Sequence, residues 1–282
     1  MDALQTAKWS RFYVCRMKTT VAVVNAPGEP FVFEEVEVDG PRADEVLVRI
    51  VATGLCHTDI SLRDTLPAEM FPRVFGHEGS GVVEEVGADV TGVEVGDHVV
   101  LSLASCRTCA KCLAGLAGYC EQTMMLNYMG FRADGSTSYS REAGPVYGHF
   151  VGQSSFARHA VALASSVVVV DPGLDLTLYA PYGCGFMAGS GSVLNVLKPG
   201  PEDSVVVYGA GAVGLAAIAA ARASGVATSP STWCRAGSRP PRGTARSGST
   251  RASSARPPWP PGSRSSPAAA RRTASRPPPS RR

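Results

Sequence analysis

Residues 204–214 read SVVVYGAGAVG and indicate the fold class of the chain. Its first five residues form an apolar run that is typical of a strand buried on both faces. A turn with the spacing G-x-G-x-x-G follows, formed by Gly209, Gly211 and Gly214, and an alanine-rich segment continues from it. This order predicts the opening strand, turn and helix of a dinucleotide-binding fold. The three glycines and Val213 are the candidate residues for binding the pyrophosphate at the helix N-terminus.

Short strands dominate the sequence upstream of this unit. Between residues 17 and 170, β-branched runs are separated by Gly, Pro and Asp; examples are 18–24 (KTTVAVV), 45–52 (EVLVRIVA), 81–86 and 97–101. Such spacing is typical of an antiparallel barrel or sandwich. The sequence therefore predicts an α/β protein whose N-terminal part is mainly β and whose doubly wound, nucleotide-binding part follows.

The charged residues are unevenly distributed along the chain. Residues 1–203 hold all 24 acidic residues and 14 of the 27 basic ones, and every later basic residue is an arginine. Residues 229–282 consist of Ser, Pro, Arg, Ala, Gly and Thr, apart from two tryptophans and one cysteine. We expect this tail to be disordered, because it has too little apolar surface to offset its chain entropy. The abrupt change suggests the hypothesis of a reading-frame shift near Thr228, which an intact frame on resequencing would refute.

Residues 1–16 show no sustained periodicity and are interpreted as an N-terminal extension, with Met17 as the expected natural start. The sequence has neither a run of about 18 apolar residues nor the pattern of a signal peptide, so we expect a cytoplasmic location and no membrane partner. In a reducing compartment the eight cysteines are better candidates for metal ligands and core thiols than for disulfides.

Four cysteines follow one another with the spacing C-x2-C-x2-C-x7-C. Four thiolates so close in sequence can surround one zinc ion tetrahedrally and stabilise a loop that has little core of its own. The alternative, four unrelated core thiols, is disfavoured by the regular spacing. The sequence predicts a structural zinc site formed by Cys106, Cys109, Cys112 and Cys120.

A second set of candidate ligands is scattered along the chain in glycine-flanked turns. Cys56 lies in the motif GLCHTD, His77 in GHE and Cys184 in GCG. Two cysteines and one histidine would leave the fourth position of a zinc ion open for water or substrate, as a catalytic site requires. Spacing alone favours the alternative for each residue, a small buried cysteine or a hydrogen-bonded turn histidine.

Taken together, these motifs resemble those of the zinc-containing medium-chain alcohol dehydrogenases over residues 17 to about 228. The likeness rests on GLCHTD, on residues 76–87 (GHEGSGVVEEVG), on GDHV, on the four-cysteine loop, on GCG and on GAGAVG. Within the family, LNYMGFRADGS and GHFVGQSSFARHA are most similar to the aryl (benzyl) alcohol dehydrogenases. The resemblance implies a GroES-like catalytic domain over residues 17–180 and the start of a Rossmann domain over residues 181–228.

Roles for the scattered residues come from the same resemblance. Cys56, His77 and Cys184 would be the catalytic zinc ligands, a set taken over from alcohol dehydrogenase and not obtained from spacing. Asp59 would orient His77, and Glu78 would lie behind the metal.

The resemblance further implies how the reaction runs. Thr58 would stand next to the substrate oxygen as the first member of a proton relay, and His57 would lie near the coenzyme pyrophosphate or act as a base. Many relatives have a relay histidine where this chain has Ser61. The implied reaction is the reversible oxidation of a primary, aromatic alcohol to its aldehyde, with two zinc ions per chain and hydride transfer to NAD. NADP is the open alternative, because no acidic residue follows the glycine turn.

Two other functions remain as alternatives. One is a formaldehyde or polyol dehydrogenase of the same zinc family, and the other is a non-enzymatic, zinc-stabilised domain whose arginine-rich tail binds nucleic acid. The tail lacks interleaved aromatic residues, so nucleic acid is a disfavoured partner. Family members form homo-oligomers through a complete nucleotide domain, so we expect the 282-residue chain to lack that interface and to be inactive or unstable.

Overall fold

The computed structural model describes residues 16–231 and 270–273, which divide into two units after Cys184. The described part of the first unit is built on two five-stranded sheets, with the strand orders β4-β1-β2-β7-β8 and β10-β6-β5-β3-β9. All strand pairs within these sheets are antiparallel, which confirms the predicted mainly-β character. The strands are β1 (Arg16–Val24), β2 (Val32–Asp39), β3 (Glu45–Thr53), β4 (Arg73–Val74), β5 (Gly79–Val86), β6 (His98–Leu101), β7 (Tyr139–Arg141), β8 (Gly144–Val146), β9 (His159–Leu163) and β10 (Val167–Val169).

Short helices connect these strands. None of the helices in the described ranges is long and apolar enough to cross a membrane. In the first unit they are α1 (His57–Thr65), α2 (Ala110–Leu113), α3 (Thr123–Tyr128) and α4 (Leu176–Tyr179).

Alternation of apolar and polar residues explains how the first sheet covers its core. Along β1 and β2, the side chains of Val21, Val23, Val36 and Val38 are buried, whereas the glutamates between the valines of β2 point outward or are partly exposed. The two strands pair over nearly their whole length, so the valines form one continuous face. These residues are part of a single hydrophobic cluster with Leu47 of β3.

Strand β3 is the central element of the first unit because it contributes to two cores. Leu47 packs in the cluster on one face of its sheet, while Val46 and Val48 pack in a second cluster with Val99 and Leu101 of β6. This explains the uninterrupted apolar run in its first half, which a strand with one solvent-exposed face would not need.

The second unit contains the strand, glycine turn and helix expected from its sequence. Strand β11 (Ser204–Tyr208) is followed by α6 (Ala212–Ala223), and the chain then returns to a strand, β12 (Ala227–Ser231), that pairs with β11 in parallel. Val205 and Val207 pack against alanines of α6 and close the core of this unit. The remaining elements are α5 (Gly185–Gly191), a π-helical turn (Ser192–Leu197) and β13 (Ala270–Thr273).

Two boundaries differ from the sequence expectation. Arg16, assigned to the N-terminal extension, is the first residue of β1, where it pairs with Asp39 of β2. Within the tail predicted to be disordered, residues 229–231 and 270–273 form strands on the two sides of β11. Backbone pairing to an open strand edge needs no apolar side chain, which composition alone does not reveal. The rest of the tail and of the extension lies outside the described residues.

A buried ion pair attaches the loop after α3 to the start of β3. Arg132 donates from Nε and Nη2 to the two carboxylate oxygens of Glu45 at 2.7 and 2.8 Å, and the backbone N–H of Arg42 donates to the same carboxylate. Burial alone would raise the pKa of Glu45, but the hydrogen bonds and charge of Arg132 outweigh it and hold the pKa below 4.5. The pair therefore stabilises the fold only while Glu45 is ionised.

Replacing Arg132 with methionine leaves the Glu45 carboxylate buried without its cation, and we expect a loss of about 3–5 kcal/mol in the free energy of unfolding. Urea denaturation of the zinc-loaded chain measures this loss. Lys18→Met, which removes an exposed pair with Glu35, is the control and should change stability little. Because the folded-state pKa of Glu45 is lowered, its contribution is complete above pH 4.5 and is lost as the pH falls further, so the two chains should converge in acid. Equal stability at neutral pH would contradict this account.

Candidate metal centres

Asp59 is the residue around which the first candidate metal centre is organised. Its side chain is fully buried and accepts three hydrogen bonds: from the backbone N–H of Cys56 at 2.9 Å, from the backbone N–H of Gly76 at 3.0 Å, and from Nδ1 of His77 at 3.0 Å. The first of these caps α1, since Cys56 is its N-cap residue. One carboxylate thus connects the start of α1 to the turn that carries His77.

His77 lies in the connection between β4 and β5, where the backbone conformation demands glycine. Gly76 has φ +92°, and a Cβ there would lie 2.4 Å from the backbone nitrogen of Phe156. This close approach keeps the His77 side chain buried, at 3% exposure, with its ring edge-on to Phe150 at a centroid distance of 5.4 Å. With Nδ1 held by Asp59, only Nε2 of His77 is available to bind a metal.

Cys184 reaches the same place from a distant part of the sequence. It follows the 3-10 helix Ala180–Gly183, and a Cβ on Gly183 would lie 1.8 Å from the carbonyl oxygen of Leu101. The hydroxyl of Ser102 donates to the carbonyl of Gly183 at 2.9 Å. The turn before Cys184 is therefore packed directly against the end of β6.

Four side chains meet in this centre. The candidate ligand atoms of Cys56, His77, Glu78 and Cys184 all lie within 4.8 Å of one another. The carboxylate of Glu78, which the resemblance places behind the metal, is one of these candidate ligands. Its position depends on Gly54, because a Cβ there would lie 2.1 Å from Oε2 of Glu78 and would displace it.

The electrostatics of the group favour a bound cation. Hydrogen bonds from Cys184 and His77 lower the pKa of the Cys56 thiol to about 3. The hydrogen bond to Cys56 and burial raise the pKa of Cys184, and burial and the charge of Cys56 raise that of Glu78. Burial alone would lower the pKa of His77, but its contacts with Asp59 and Cys56 raise it to about 9. Several of these side chains can be negatively charged, and protons bound to them neutralise that charge poorly. One divalent metal ion would neutralise it well.

The geometry of the donors fits zinc. Tetrahedral coordination with Zn–S bonds of about 2.3 Å and Zn–N or Zn–O bonds of about 2.0–2.2 Å separates the ligand atoms by about 3.3–3.8 Å. The candidate ligand atoms lie within 4.8 Å of one another, so small side-chain adjustments bring them to these separations. Zinc prefers sulfur and imidazole donors, whereas calcium and magnesium prefer oxygen donors.

Helix α1 carries the two residues expected to handle the substrate and its proton, and also the serine that stands where relatives have a relay histidine. The hydroxyl oxygen of Thr58 is 3.6 Å from Sγ of Cys56, at the edge of the metal centre. His57 is exposed, and Ser61 lies one helical turn further along α1, where its carbonyl accepts a hydrogen bond from Thr65. The structure thus brings Thr58 to the centre and leaves His57 open to solvent.

The four-cysteine loop forms a second group of thiols. The sulfurs of Cys106, Cys109, Cys112 and Cys120 lie within 4.8 Å of one another, and none of them is in a disulfide. The Cys106 and Cys112 sulfurs are 3.9 Å apart, close to the 3.8 Å or so that a tetrahedral zinc thiolate site requires. The loop exposes its apolar side chains Leu113, Leu116 and Tyr119, so it has little core of its own.

Backbone N–H groups support the charge that this group carries. The N–H of Cys109 donates to Sγ of Cys106 at 3.3 Å, and the N–H groups of Cys106 and Gln122 donate to Sγ of Cys120 at 3.4 Å. Hydrogen bonds from the side chain and backbone of Thr108 lower the pKa of the Cys106 thiol to about 6. Such contacts stabilise thiolates in a closed, structural metal site.

The glycine turn of the second unit has the features needed to admit a phosphate group. Gly209 has φ +96°, and a Cβ on Gly209 or Gly211 would meet no atom within 4 Å, so space is open above the turn. Gly214 has the opposite role, because a Cβ there would lie 2.1 Å from the carbonyl oxygen of Gly209. Gly211 is the N-cap of α6, and Val213 lies in its first turn. Free N–H groups at this helix terminus favour an anion.

Sequence reasoning missed one buried polar residue near the first centre. Gln153 is fully buried and hydrogen-bonds to the backbone of His77 and Gly79. Its motif, GHFVGQSSFARHA, was used only as a sign of the aryl alcohol branch. The available signal was a glutamine among small and apolar residues. Such a residue is expected to be buried, and a buried amide needs hydrogen-bond partners.

The first unit is mainly β and holds a cysteine and histidine centre and a four-cysteine loop, and the second unit opens with a glycine turn between a parallel strand and a helix. These features are typical of zinc-dependent, dinucleotide-linked dehydrogenases. Comparison with known proteins supports this class. The family model of the alcohol dehydrogenase GroES-like domain matches residues 42–171. This match and the individual relatives support a place for the chain in the zinc-containing medium-chain alcohol dehydrogenase family.

Individual relatives agree on the family and differ in substrate. Geraniol dehydrogenase of Castellaniella defragrans is 44% identical over 205 residues, covering 72% of this chain and 55% of the relative. S-(hydroxymethyl)glutathione dehydrogenase of Escherichia coli is 40% identical over 208 residues, covering 73% of this chain and 56% of the relative. The crystal structure of benzyl alcohol dehydrogenase from Acinetobacter calcoaceticus is 40% identical, with a TM-score of 0.70, covering 74% of this chain and 57% of that one. The chain spans little more than half the length of these relatives.

We expect Asp59→Asn to weaken zinc binding at the first centre by about 10–100-fold, because the neutral amide no longer fixes His77 by charge and hydrogen bond together. Competition titration with a zinc chelator measures the affinity. Asp64→Asn is the matched control, since Asp64 lies on the same helix but is exposed and pairs only with Arg63 among the described ion pairs. Unchanged affinity in Asp59→Asn, or an equal loss in Asp64→Asn, would show that Asp59 does not orient the ligand.

Proposed function

We propose that this chain carries the catalytic centre of a zinc-dependent dehydrogenase that reversibly oxidises a primary, aromatic alcohol to its aldehyde, with NAD as hydride acceptor. The observation that supports the metal chemistry is the convergence of Cys56, His77 and Cys184, with Asp59 holding the far side of the histidine. Two thiolates and one imidazole leave one coordination position for a substrate oxygen, unless Glu78 takes it.

A zinc ion in this centre supplies a Lewis acid that polarises the oxygen of an alcohol or an aldehyde. The residues of the chain do the remaining work. Asp59 keeps Nδ1 of His77 protonated, so that Nε2 faces the centre. Thr58 accepts the proton of the alcohol at its hydroxyl and passes on its own, and the exposed His57 is the group that delivers a proton to solvent.

The proposed coenzyme site is the glycine turn of the second unit. Gly209 and Gly211 leave room for a pyrophosphate to approach the backbone, and the N-terminus of α6 offers donors and a favourable dipole. Strand β12 carries no acidic residue that would bind an adenosine ribose, so NADP is the alternative coenzyme. The proposed partners are a small alcohol or aldehyde, and the proposed location is the reducing cytoplasm, where thiols such as the six described ones remain free.

The proposed aromatic preference rests on sequence likeness and not on the aromatic residues beside the metal centre. The ring of Phe150 packs edge-on against His77, and Phe75 packs against Phe150, but both rings are fully buried in the core and offer no face to a substrate. Likeness to benzyl alcohol dehydrogenase agrees with this choice, whereas the geraniol and glutathione relatives keep a terpenoid alcohol and a formaldehyde adduct as alternative substrates.

The test measures ligand binding at the metal, because this step depends on the metal centre alone and not on hydride transfer. Cobalt(II) replaces zinc, and its visible absorption bands change when the coordination changes. Benzyl alcohol, geraniol and S-(hydroxymethyl)glutathione are titrated separately into the cobalt-loaded chain, followed by turnover assays with NAD and with NADP. We expect benzyl alcohol to perturb the bands at the lowest concentration.

The control is Cys184→Ser, which breaks the first centre and leaves the four-cysteine loop intact, so its remaining cobalt bands should not respond to any alcohol. A response to the glutathione adduct at lower concentration than to benzyl alcohol would assign the formaldehyde class instead. Cobalt bound at the first centre without a response to any of the three alcohols would contradict the proposal.

A further inference from the structure

A short segment runs beside the chain that carries the histidine ligand. Residues 153–156, which we call the clamp segment, hydrogen-bond along residues 74–79. The backbone N–H groups of Ser155 and Phe156 donate at 2.9 and 3.0 Å to the carbonyls of the two residues that precede His77. The segment thus substitutes for a neighbouring strand where β4 has ended and β5 has not yet begun.

Gln153 extends this pairing past the histidine with its side chain. Its Nε2 donates to the carbonyl oxygen of His77 at 3.1 Å, and its Oε1 accepts from the backbone N–H of Gly79 at 3.0 Å. These two groups flank Glu78, and they are the pair that one residue of a parallel strand would bind with its own N–H and C=O. A side-chain amide therefore fixes the backbone between the two ligand candidates His77 and Glu78.

The backbone around Gln153 is held in an unfavourable conformation. His149, Val151 and Ser154 are non-glycine residues with φ of 53°, 51° and 55°, in the left-handed region. Ser154 is tied down by its own side chain, which accepts from the N–H of Phe150 and donates to the carbonyl of Val74. Strain of this kind persists where the surroundings enforce it, and here it turns the Gln153 side chain toward the ligand backbone.

The missing side chain of Gly79 leaves the space that the Gln153 amide occupies. A Cβ on Gly79 would lie 2.9 Å from Oε1 of Gln153 and 2.6 Å from Cβ of Ser155. Any larger residue at position 79 would force the amide away from the carbonyl of His77. Gln153 is itself fully buried, so water cannot replace its hydrogen bonds.

We propose that Gln153 is a positioning residue of the catalytic metal centre: its side-chain amide fixes the backbone on both sides of Glu78 and so sets where His77 and Glu78 meet the metal. This inference rests on the proposed function of His77 as a metal ligand. A merely structural glutamine would affect stability alone, whereas a positioning residue also affects the affinity and the spectrum of the bound metal.

The test compares cobalt binding at the two metal centres of the full chain. Gln153→Leu keeps the volume and removes both hydrogen bonds, and Gln153→Asn keeps a neutral amide that is one methylene too short to make both. Ser154→Ala is the matched control, because it loses two buried hydrogen bonds in the same stretch without touching residues 77–79. Cobalt affinity, the visible bands of the first centre and the melting temperature are measured for each chain.

We expect affinity at the first centre to fall about 10–100-fold in Gln153→Leu and less in Gln153→Asn, with shifted bands, while the four-cysteine site is unchanged. Ser154→Ala should lower the melting temperature and leave affinity and bands as in the unchanged chain. If Gln153→Leu fails to fold, the cobalt affinity and the visible bands of Gln153→Asn are compared with those of Ser154→Ala instead. Wild-type affinity in the Gln153 variants, or an equal loss in Ser154→Ala, would overturn the proposal. Failure of the unchanged chain to bind cobalt at the first centre would instead refute the proposed function beneath it.

Discussion

The three hydrogen bonds accepted by Asp59 are the constraint on which the first metal centre depends. They join the N-terminus of α1, the turn before His77 and the histidine ring itself. A buried carboxylate is costly to desolvate, so it is stable only when such donors surround it. The same contacts that satisfy Asp59 place Cys56 and His77 at ligand distance, and a shift of either element would leave the charge without partners.

The second constraint is the tight packing of backbone around the ligand turns. Gly54, Gly76 and Gly183 each precede a ligand or a ligand candidate by no more than two residues, and a Cβ at any of them would overlap Glu78, Phe156 or Leu101. The polypeptide comes so close at these points that side chains from segments more than a hundred residues apart can reach one ion. Metal binding and folding are therefore expected to be coupled, since neither group of ligands is formed in an unfolded chain.

Much of this architecture follows from sequence patterns with a clear physical meaning. Short β-branched runs separated by Gly, Pro and Asp predicted the sheets of the first unit, the G-x-G-x-x-G turn after an apolar strand predicted β11 and α6, and the cysteine spacing predicted the four-thiol group. The scattered ligands were different, because nothing in their spacing brings Cys56, His77 and Cys184 together. Resemblance to a family supplied that set, and the packing of three glycine turns explains it.

What the sequence did not reveal depends on tertiary contacts. The close approach of Glu78 to the other candidate ligands depends on the missing Cβ of Gly54, and the pairing of Gln153 with residues 77–79 results from a left-handed backbone that no local pattern predicts. Strand β13 likewise owes its place to an open edge of β11 and not to its composition. Local sequence propensities predict individual helices and strands well, but they predict contacts between distant segments poorly.

The two groups of ligands predict that this chain holds two zinc ions in chemically different centres. X-ray absorption at the zinc edge of the loaded, purified chain can measure this, because the scattering separates sulfur from lighter ligands. Six cysteines shared between two ions predict an average of three sulfur ligands per zinc, with nitrogen or oxygen completing the shell. An average of four sulfurs, with one zinc per chain, would mean that only the four-cysteine loop binds metal and would contradict the account.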